Sequence, residues 1–246
     1  MINIVVNGSS ITALPGSWSE NIATLEPNYY VNLARPGSGN RFIAESTIDY
    51  LESANLPSSN TLIVVMWTGA HRKDIRFSFE WYKHYKNFYN YGQTIDHKSF
   101  WAFSGGLNPH GWQSHGDIKN IWEPIYKLSD ETSMCVDNLH NFINLANYLK
   151  IHRYKYIFTT DSNYWSSPTP YHIFSGDPCY NHWCKEIPLY KNFKFDNWVF
   201  IDDNFTSLVE LANPDHLDDS SHPNRFISNK YFNETMLPCI VKQVHM

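Results

Sequence analysis

Two polar segments near opposite ends of this 246-residue chain carry the residue types that serine-dependent chemistry requires. Ser10 follows a short apolar run at residues 2–6, and Asp219 and His222 stand in the sequence Asp-Ser-Ser-His-Pro near the other end. A hydroxyl nucleophile, an imidazole base and a carboxylate that orients the base are the three parts of a Ser-His-Asp triad. The sequence therefore predicts that Ser10, His222 and Asp219 form such a triad.

The Asp-x-x-His spacing occurs a second time, at Asp137 and His140. That copy lies among apolar residues with helical spacing, so we interpret it as part of a structural helix. The copy at Asp219 precedes Pro223 and lies in polar, helix-initiating sequence. A helix cap is the alternative interpretation there, with Asp219 as the charge at the helix N-terminus. We favour the catalytic interpretation because of the setting of this copy.

The hydrophobic pattern alternates between short apolar runs and helical stripes. The runs predict strands at residues 2–6, 29–33, 61–67, 156–160 and 198–201. The stripes predict helices at 43–54, 137–150 and about 224–239, the last ended by Pro238. This alternation predicts an α/β fold, a three-layer α/β/α sandwich with a mostly parallel, five-stranded, flavodoxin-like sheet. We expect one domain over residues 1–246, with two long aromatic-rich loop insertions at about 76–126 and 162–196.

Polar or glycine-rich segments follow the first three predicted strands. They contain Ser10, Gly37 and the stretch 68–71. Ligands of parallel sheets bind at the carboxyl ends of the strands. We therefore expect these three segments to line one edge of the sheet.

The order of these segments resembles the SGNH (GDSL-type) hydrolases. That family carries Gly-Asp-Ser after the first strand, Gly after the second, Gly-x-Asn-Asp after the third and Asp-x-x-His-Pro near the C-terminus. The matching segments here are residues 8–12, 34–40, 67–72 and 219–223. The stretches Asn-Leu-Ala-x-Pro-Gly-Ser-x-Asn and Trp-Thr-x-x-x-Arg look most like family members encoded by tailed phages.

The resemblance implies a serine esterase in which Ser10 is the nucleophile, His222 the base and Asp219 its orienting carboxylate. The backbone of Gly37 is expected to bind the oxyanion. Ser9 replaces the family's aspartate, and the third segment lacks its asparagine. The side chain of His71 is the expected replacement donor, although another register places Ala70 there. The expected substrate-binding residues are Trp67, Arg72 and Asn40.

The favoured substrate is an O-acetyl group on a carbohydrate, because flat aromatic rings in the insertions can cover the apolar faces of sugars. The rings could equally pack a small cap of their own. Two alternatives to an ester hydrolase remain: a catalytically silent glycan-binding module on the same fold, and an acyltransferase. We predict no cofactor and no metal. The spacing of Cys179, His182 and Cys184 suits a metal only loosely, and ordinary thiols are preferred.

Composition limits the expected partners. The net charge of −5, from 19 basic and 24 acidic residues, argues against nucleic acid. The longest apolar run, at 62–67, is too short to cross a membrane. The N-terminus does not resemble a signal peptide, so we expect a cytoplasmic protein, with virion association as the alternative. The expected partner is a small-molecule or glycan ester. The oligomeric state is not predicted.

Overall fold

The computed structural model describes residues 2–69, 72–78, 99–103, 124, 128, 131–161, 188–191, 193–202, 206–212, 216–217 and 222–245. Its centre is a parallel sheet of four strands in the order β2-β1-β3-β6. These strands are β1 (Asn3–Asn7), β2 (Tyr29–Asn32), β3 (Thr61–Trp67) and β6 (Lys155–Thr160). A separate antiparallel pair joins β4 (Asp74–Ser78) to β5 (Ser99–Phe103). The predicted α/β class with a mostly parallel sheet is confirmed.

The fifth predicted strand, at 198–201, is reduced to a single parallel bridge between Phe158 and Trp198. Asn197 has a φ of 63°, which interrupts extended backbone just before the bridge. After the bridge, a hydrogen bond from Ile201 N to Thr206 O turns the chain away. Among the described residues, the expectation of five full strands in the parallel sheet is therefore corrected to four strands and a bridge. The bridge nevertheless lies beside β6, so the flavodoxin-like order is kept.

The helices cover both faces of the sheet. The two long ones are α3 (Asn40–Ala54) and α4 (Glu131–Ile151). The short ones are α1 (Ser10–Ala13), α2 (Glu20–Ala23), α5 (Pro188–Lys191), α6 (Leu208–Leu211), α7 (Arg225–Tyr231) and α8 (Leu237–His245), with a 3₁₀ turn at Ser58–Asn60. Side chains alternate along β3, so Ile63 and Val65 pack with α3 and α4 while Leu62 and Val64 pack on the opposite face. Burial on both faces explains the continuous apolar run of this strand.

The C-terminal helix does not end at Pro238, contrary to the sequence prediction. A π-helical turn at Phe232–Met236 separates α7 from α8, and Pro238 is the second residue of α8. A proline is tolerated in the first turn of a helix, where its missing N–H and its ring do least harm. The wider π turn thus lets the chain restart as a helix, and Ile240 of α8 packs in the core.

The two predicted insertions lie largely outside the described residues. Within the first, the described part includes β5, which pairs with β4. Among the described residues, no helix combines the length and the hydropathy needed to span a bilayer.

Candidate active site

Ser10 is the first residue of α1 and lies directly beyond the carboxyl end of β1. A tight connection between strand and helix needs Gly8, because a Cβ there would lie 2.4 Å from Thr12 Oγ1 and 3.0 Å from Met66 O. Ser10 is 5% exposed. The turn therefore holds the hydroxyl at the edge of the sheet with little freedom to move.

The Ser10 hydroxyl contacts the imidazole of His222. The distance from Nε2 to Oγ is 2.8 Å, across 212 positions of sequence. The segment that carries His222 is fixed on both sides, by a bridge between Leu217 and Pro223 and by a hydrogen bond from Asn224 N to His216 O of 2.8 Å. The structure thus brings together two of the three residues that the sequence assigned to a triad.

The third residue of that predicted triad, Asp219, lies outside the described residues. The same holds for His71, the expected side-chain donor to the oxyanion, and for Cys179, His182 and Cys184. Among the residues that the structure does describe, no three metal-ligating side chains come together.

Gly37 lies in a turn that is attached to the Ser10 turn. Ser38 N donates to Arg35 O at 3.3 Å, and Gly37 has a φ of 80° at the third position, after a proline. Proline followed by a glycine with positive φ is typical of a type II turn. The Gly8 carbonyl accepts from Arg35 N at 3.2 Å and from Ser38 Oγ at 3.1 Å. These two bonds flank Gly37 and hold its turn against Gly8, two residues before Ser10.

Asp161 was missed by the sequence analysis. It directly follows β6 and is 2% exposed, and its Oδ2 accepts a hydrogen bond from Ser9 Oγ at 3.2 Å. Its backbone is anchored as well, because its N–H donates to Trp67 O at 2.8 Å and its carbonyl accepts from Ser207 Oγ at 2.7 Å. A carboxylate from another strand end therefore contacts the residue beside Ser10. The rule that functional residues follow parallel strands, applied to β6, would have found it.

Asn40 has a structural position, which corrects its expected role in substrate binding. Its Nδ2 donates to Thr68 O and its Oδ1 accepts from Thr68 N, both at 2.8 Å. The same Nδ2 also donates to Oδ1 of Asn138 on α4. Asn40 is 1% exposed and both ends of its amide are bonded to protein. It fixes the loop after β3 to the start of α3 and to α4.

Trp67 is also part of the core, and its expected contact with substrate is wrong. The side chain is fully buried. Its ring centroid lies 4.5 Å from that of Phe142 and 5.2 Å from that of Phe158. Trp67 lies two residues beyond Val65 on the strand, so it shares the face of the sheet that α3 and α4 cover.

Arg72 differs from these two because its side chain reaches the surface. Nη1 donates to Ser38 O at 3.4 Å. Arg72 also lines a cleft of about 290 Å³, which it shares with Arg41, Lys73, Asp74, Asp137, Asn138, His140 and Asn141. The second Asp-x-x-His copy is therefore on a helix, as expected, and its two polar residues line this cleft.

Asp74 is the buried acid of the cleft. Its Oδ1 accepts from Gly39 N at 2.7 Å and its Oδ2 accepts from Phe42 N at 2.8 Å, at the start of α3. Burial raises the pKa of Asp74 to about 7, while the two backbone N–H groups and the nearby cations Arg72 and Arg41 act in the opposite direction. Near neutral pH this carboxyl therefore contributes less than a full negative charge to the cleft.

Comparison with known protein families and with curated proteins finds no match for this chain. A solved structure that resembles it is that of the psychrotrophic esterase EstA from Pseudoalteromonas sp., inhibited by monoethylphosphonate. The two chains are 11% identical, the alignment covers 100% of each, and the TM-score is 0.48. Any proposal of chemistry for this chain must therefore depend on the geometry of its own site.

Proposed function

We propose that this protein is a serine ester hydrolase with Ser10 as its nucleophile and His222 as its general base. The observation that carries the proposal is the 2.8 Å contact between Ser10 Oγ and His222 Nε2. A serine hydroxyl is a weak nucleophile until a base within about 2.6–3.2 Å accepts its proton. The contact lies at the carboxyl edge of a parallel sheet, where ligands bind in such folds.

The reaction runs in two halves. Ser10 Oγ bonds to the ester carbonyl carbon while its proton passes to His222, which then donates that proton to the leaving alcohol oxygen as the ester bond breaks. Water next attacks the acyl-serine, His222 accepts a proton from the water, and Ser10 regains its hydrogen as the acid leaves. Asp219, three residues before His222, is proposed to bind the other ring nitrogen and to stabilise the imidazolium.

The oxyanion that forms in each half needs hydrogen-bond donors. We assign the backbone N–H groups of Ser10 and Gly37 to this role, with His71 as a side-chain donor. The N–H of Ser10 opens a helix and has no carbonyl partner within that helix. Each such donor lowers the activation free energy of the step that forms the oxyanion by about 3 kcal/mol in well-studied serine enzymes. The two bonds from the Gly37 turn to Gly8 support this assignment.

Asp161 is proposed as a positioning residue that holds the Ser10 turn through Ser9. Asp161→Ala and Ser9→Ala are each expected to lower kcat on an aryl acetate about tenfold with little change in KM, since each breaks the charge-assisted hydrogen bond between Ser9 and Asp161. Asp161→Asn should keep most of the activity, because its amide oxygen still accepts from the Ser9 hydroxyl. The Ser9→Ala/Asp161→Ala double variant should be no slower than either single variant. Additive losses would show that the two residues act separately.

The substrate is proposed to be an O-acetyl group on a carbohydrate. Support comes from the aromatic content of 16%, much of it concentrated in segments 76–126 and 162–196. The test is acetate release from an acetylated methyl glucoside compared with 4-nitrophenyl acetate, with Ser10→Ala as the control. We expect a higher kcat/KM on the sugar ester. Hydrolysis of the aryl ester alone would exclude a carbohydrate ester as the substrate. Glycan binding without hydrolysis would favour a catalytically silent binding module.

A further inference from the structure

The cleft that Arg72 lines is bounded mainly by charged groups. Arg41, Arg72 and Lys73 supply three positive charges, and Asp74 and Asp137 supply at most two negative ones. The lining therefore has an excess of at least one positive charge in a protein whose net charge is −5. A local excess of this sign attracts anions.

The cleft lies at the same edge of the sheet as Ser10. Helices α3 and α4 each precede a parallel strand, so both begin at the carboxyl edge, and Arg41 and Asp137 lie in their N-terminal parts. Arg72 connects the cleft to the Ser10 turn through Ser38. Its guanidinium donates to Ser38 O, and Ser38 Oγ in turn bonds Gly8 O, two residues before Ser10.

Arg72 differs from the other two cations of the cleft in its ion pairing. Arg41 pairs with Glu45 at 2.7 Å and Lys73 pairs with Asp137 at 2.9 Å. Within the part of the chain that the structure describes, Arg72 forms no ion pair, and its buried Nε has no hydrogen-bond partner. Asp74 lies near enough to feel its charge, but both oxygens of that carboxylate are bonded to backbone N–H groups.

Because Nε of Arg72 is buried, an acceptor in the cleft bonds to the Nη groups of the guanidinium, and such charge-assisted hydrogen bonds are the strong ones. The planar guanidinium presents two parallel N–H groups that match the two oxygens of a carboxylate. Among the described residues, Arg72 is the one cation of the cleft outside an ion pair, which fits a monoanion better than a dianion such as phosphate.

We propose that this cleft binds a carboxylate on the substrate, with Arg72 as its bidentate partner, so that the protein acts on esters of acidic sugars. The inference rests on the proposed ester hydrolysis for its biological use. The binding step itself needs only Arg72 and the cleft, so it can be tested without turnover.

The binding test uses the wild-type protein with methyl glucuronide and, as the matched neutral ligand, methyl glucoside. Titration calorimetry should show that the glucuronide binds at least about tenfold more tightly than the glucoside, and that 0.5 M NaCl narrows this difference. Arg72→Gln should abolish the preference, and Arg72→Lys should keep only part of it because a lysine cannot bind two oxygens in a fork. Lys242→Gln, which removes an exposed cation from α8, should leave the preference unchanged.

The kinetic arm compares O-acetylated methyl glucuronide with O-acetylated methyl glucoside. The proposal is supported if kcat/KM is higher for the acidic ester because its KM is lower. Arg72→Gln should remove this difference between the two esters. Equal binding of the two sugars, or a preference that survives in both Arg72 variants, would overturn it. Glucuronide binding without hydrolysis of any ester would contradict the proposed ester hydrolysis and support carboxylate binding in the cleft. Hydrolysis of neutral esters with no preference for acidic ones would support ester hydrolysis and contradict carboxylate binding in the cleft.

Discussion

Ser10→Ala is expected to lower kcat on 4-nitrophenyl acetate by about 10⁴- to 10⁶-fold, with the protein still folded. The loss is large because no acyl-serine can form once the hydroxyl is gone. His222→Ala should lower kcat by a similar factor, since the 2.8 Å contact makes this ring the acceptor of the serine proton. The double variant should be no slower than the single ones, because nucleophile and base act as one unit.

The matched controls for these variants are Ser53→Ala and His152→Ala. Both side chains are exposed; Ser53 lies in the last turn of α3, and His152 is the residue after the end of α4. Their kcat values should stay within about twofold of wild type, as expected for surface positions. Retention of most activity in Ser10→Ala would assign the nucleophile to another residue.

Trp67→Ala is expected to lower the free energy of unfolding by about 3–5 kcal/mol, the usual cost of deleting a large buried aromatic side chain. This is a substantial part of the 5–15 kcal/mol that typically stabilises a folded domain. The cost follows from full burial against Phe142 and Phe158. Trp67→Phe should lose less, because a smaller ring keeps part of the contact.

Urea unfolding measures these effects, and Phe226→Ala is the control because that ring is 67% exposed. The KM of the folded Trp67→Phe variant for 4-nitrophenyl acetate should equal that of wild type. A raised KM with unchanged stability would return Trp67 to the substrate-binding role that the sequence suggested.

The sequence predicted the sheet well where the apolar runs were long. The strand predicted at 61–67 matches β3, because a strand buried on both faces needs apolar residues without interruption. The strand at 198–201 was predicted from similar composition and became a bridge. The conformation of Asn197, which interrupts the extended backbone just before the bridge, is not apparent from residue type alone.

For the site, the strand ends predicted the positions of Ser10 and Gly37 at the carboxyl edge, but they did not distinguish surface side chains from buried ones. Trp67 and Asn40 both lie near the carboxyl edge, yet both turn inward. Alternation along β3 already places Trp67 on the same face as Ile63 and Val65. Asp161 could not be linked to Ser9 by pattern, since their contact joins positions 152 apart in sequence.

The pairing of Ser10 with His222 is tested most directly by a fluorophosphonate probe followed by peptide mapping. A phosphonyl group forms a stable bond only with a serine that an adjacent base activates, so the wild-type protein should carry one label, on Ser10. Labelling should be lost in Ser10→Ala and at least about a hundredfold slower in His222→Ala. A label on another residue, or equally fast labelling of Ser10 without the imidazole, would contradict the proposed mechanism.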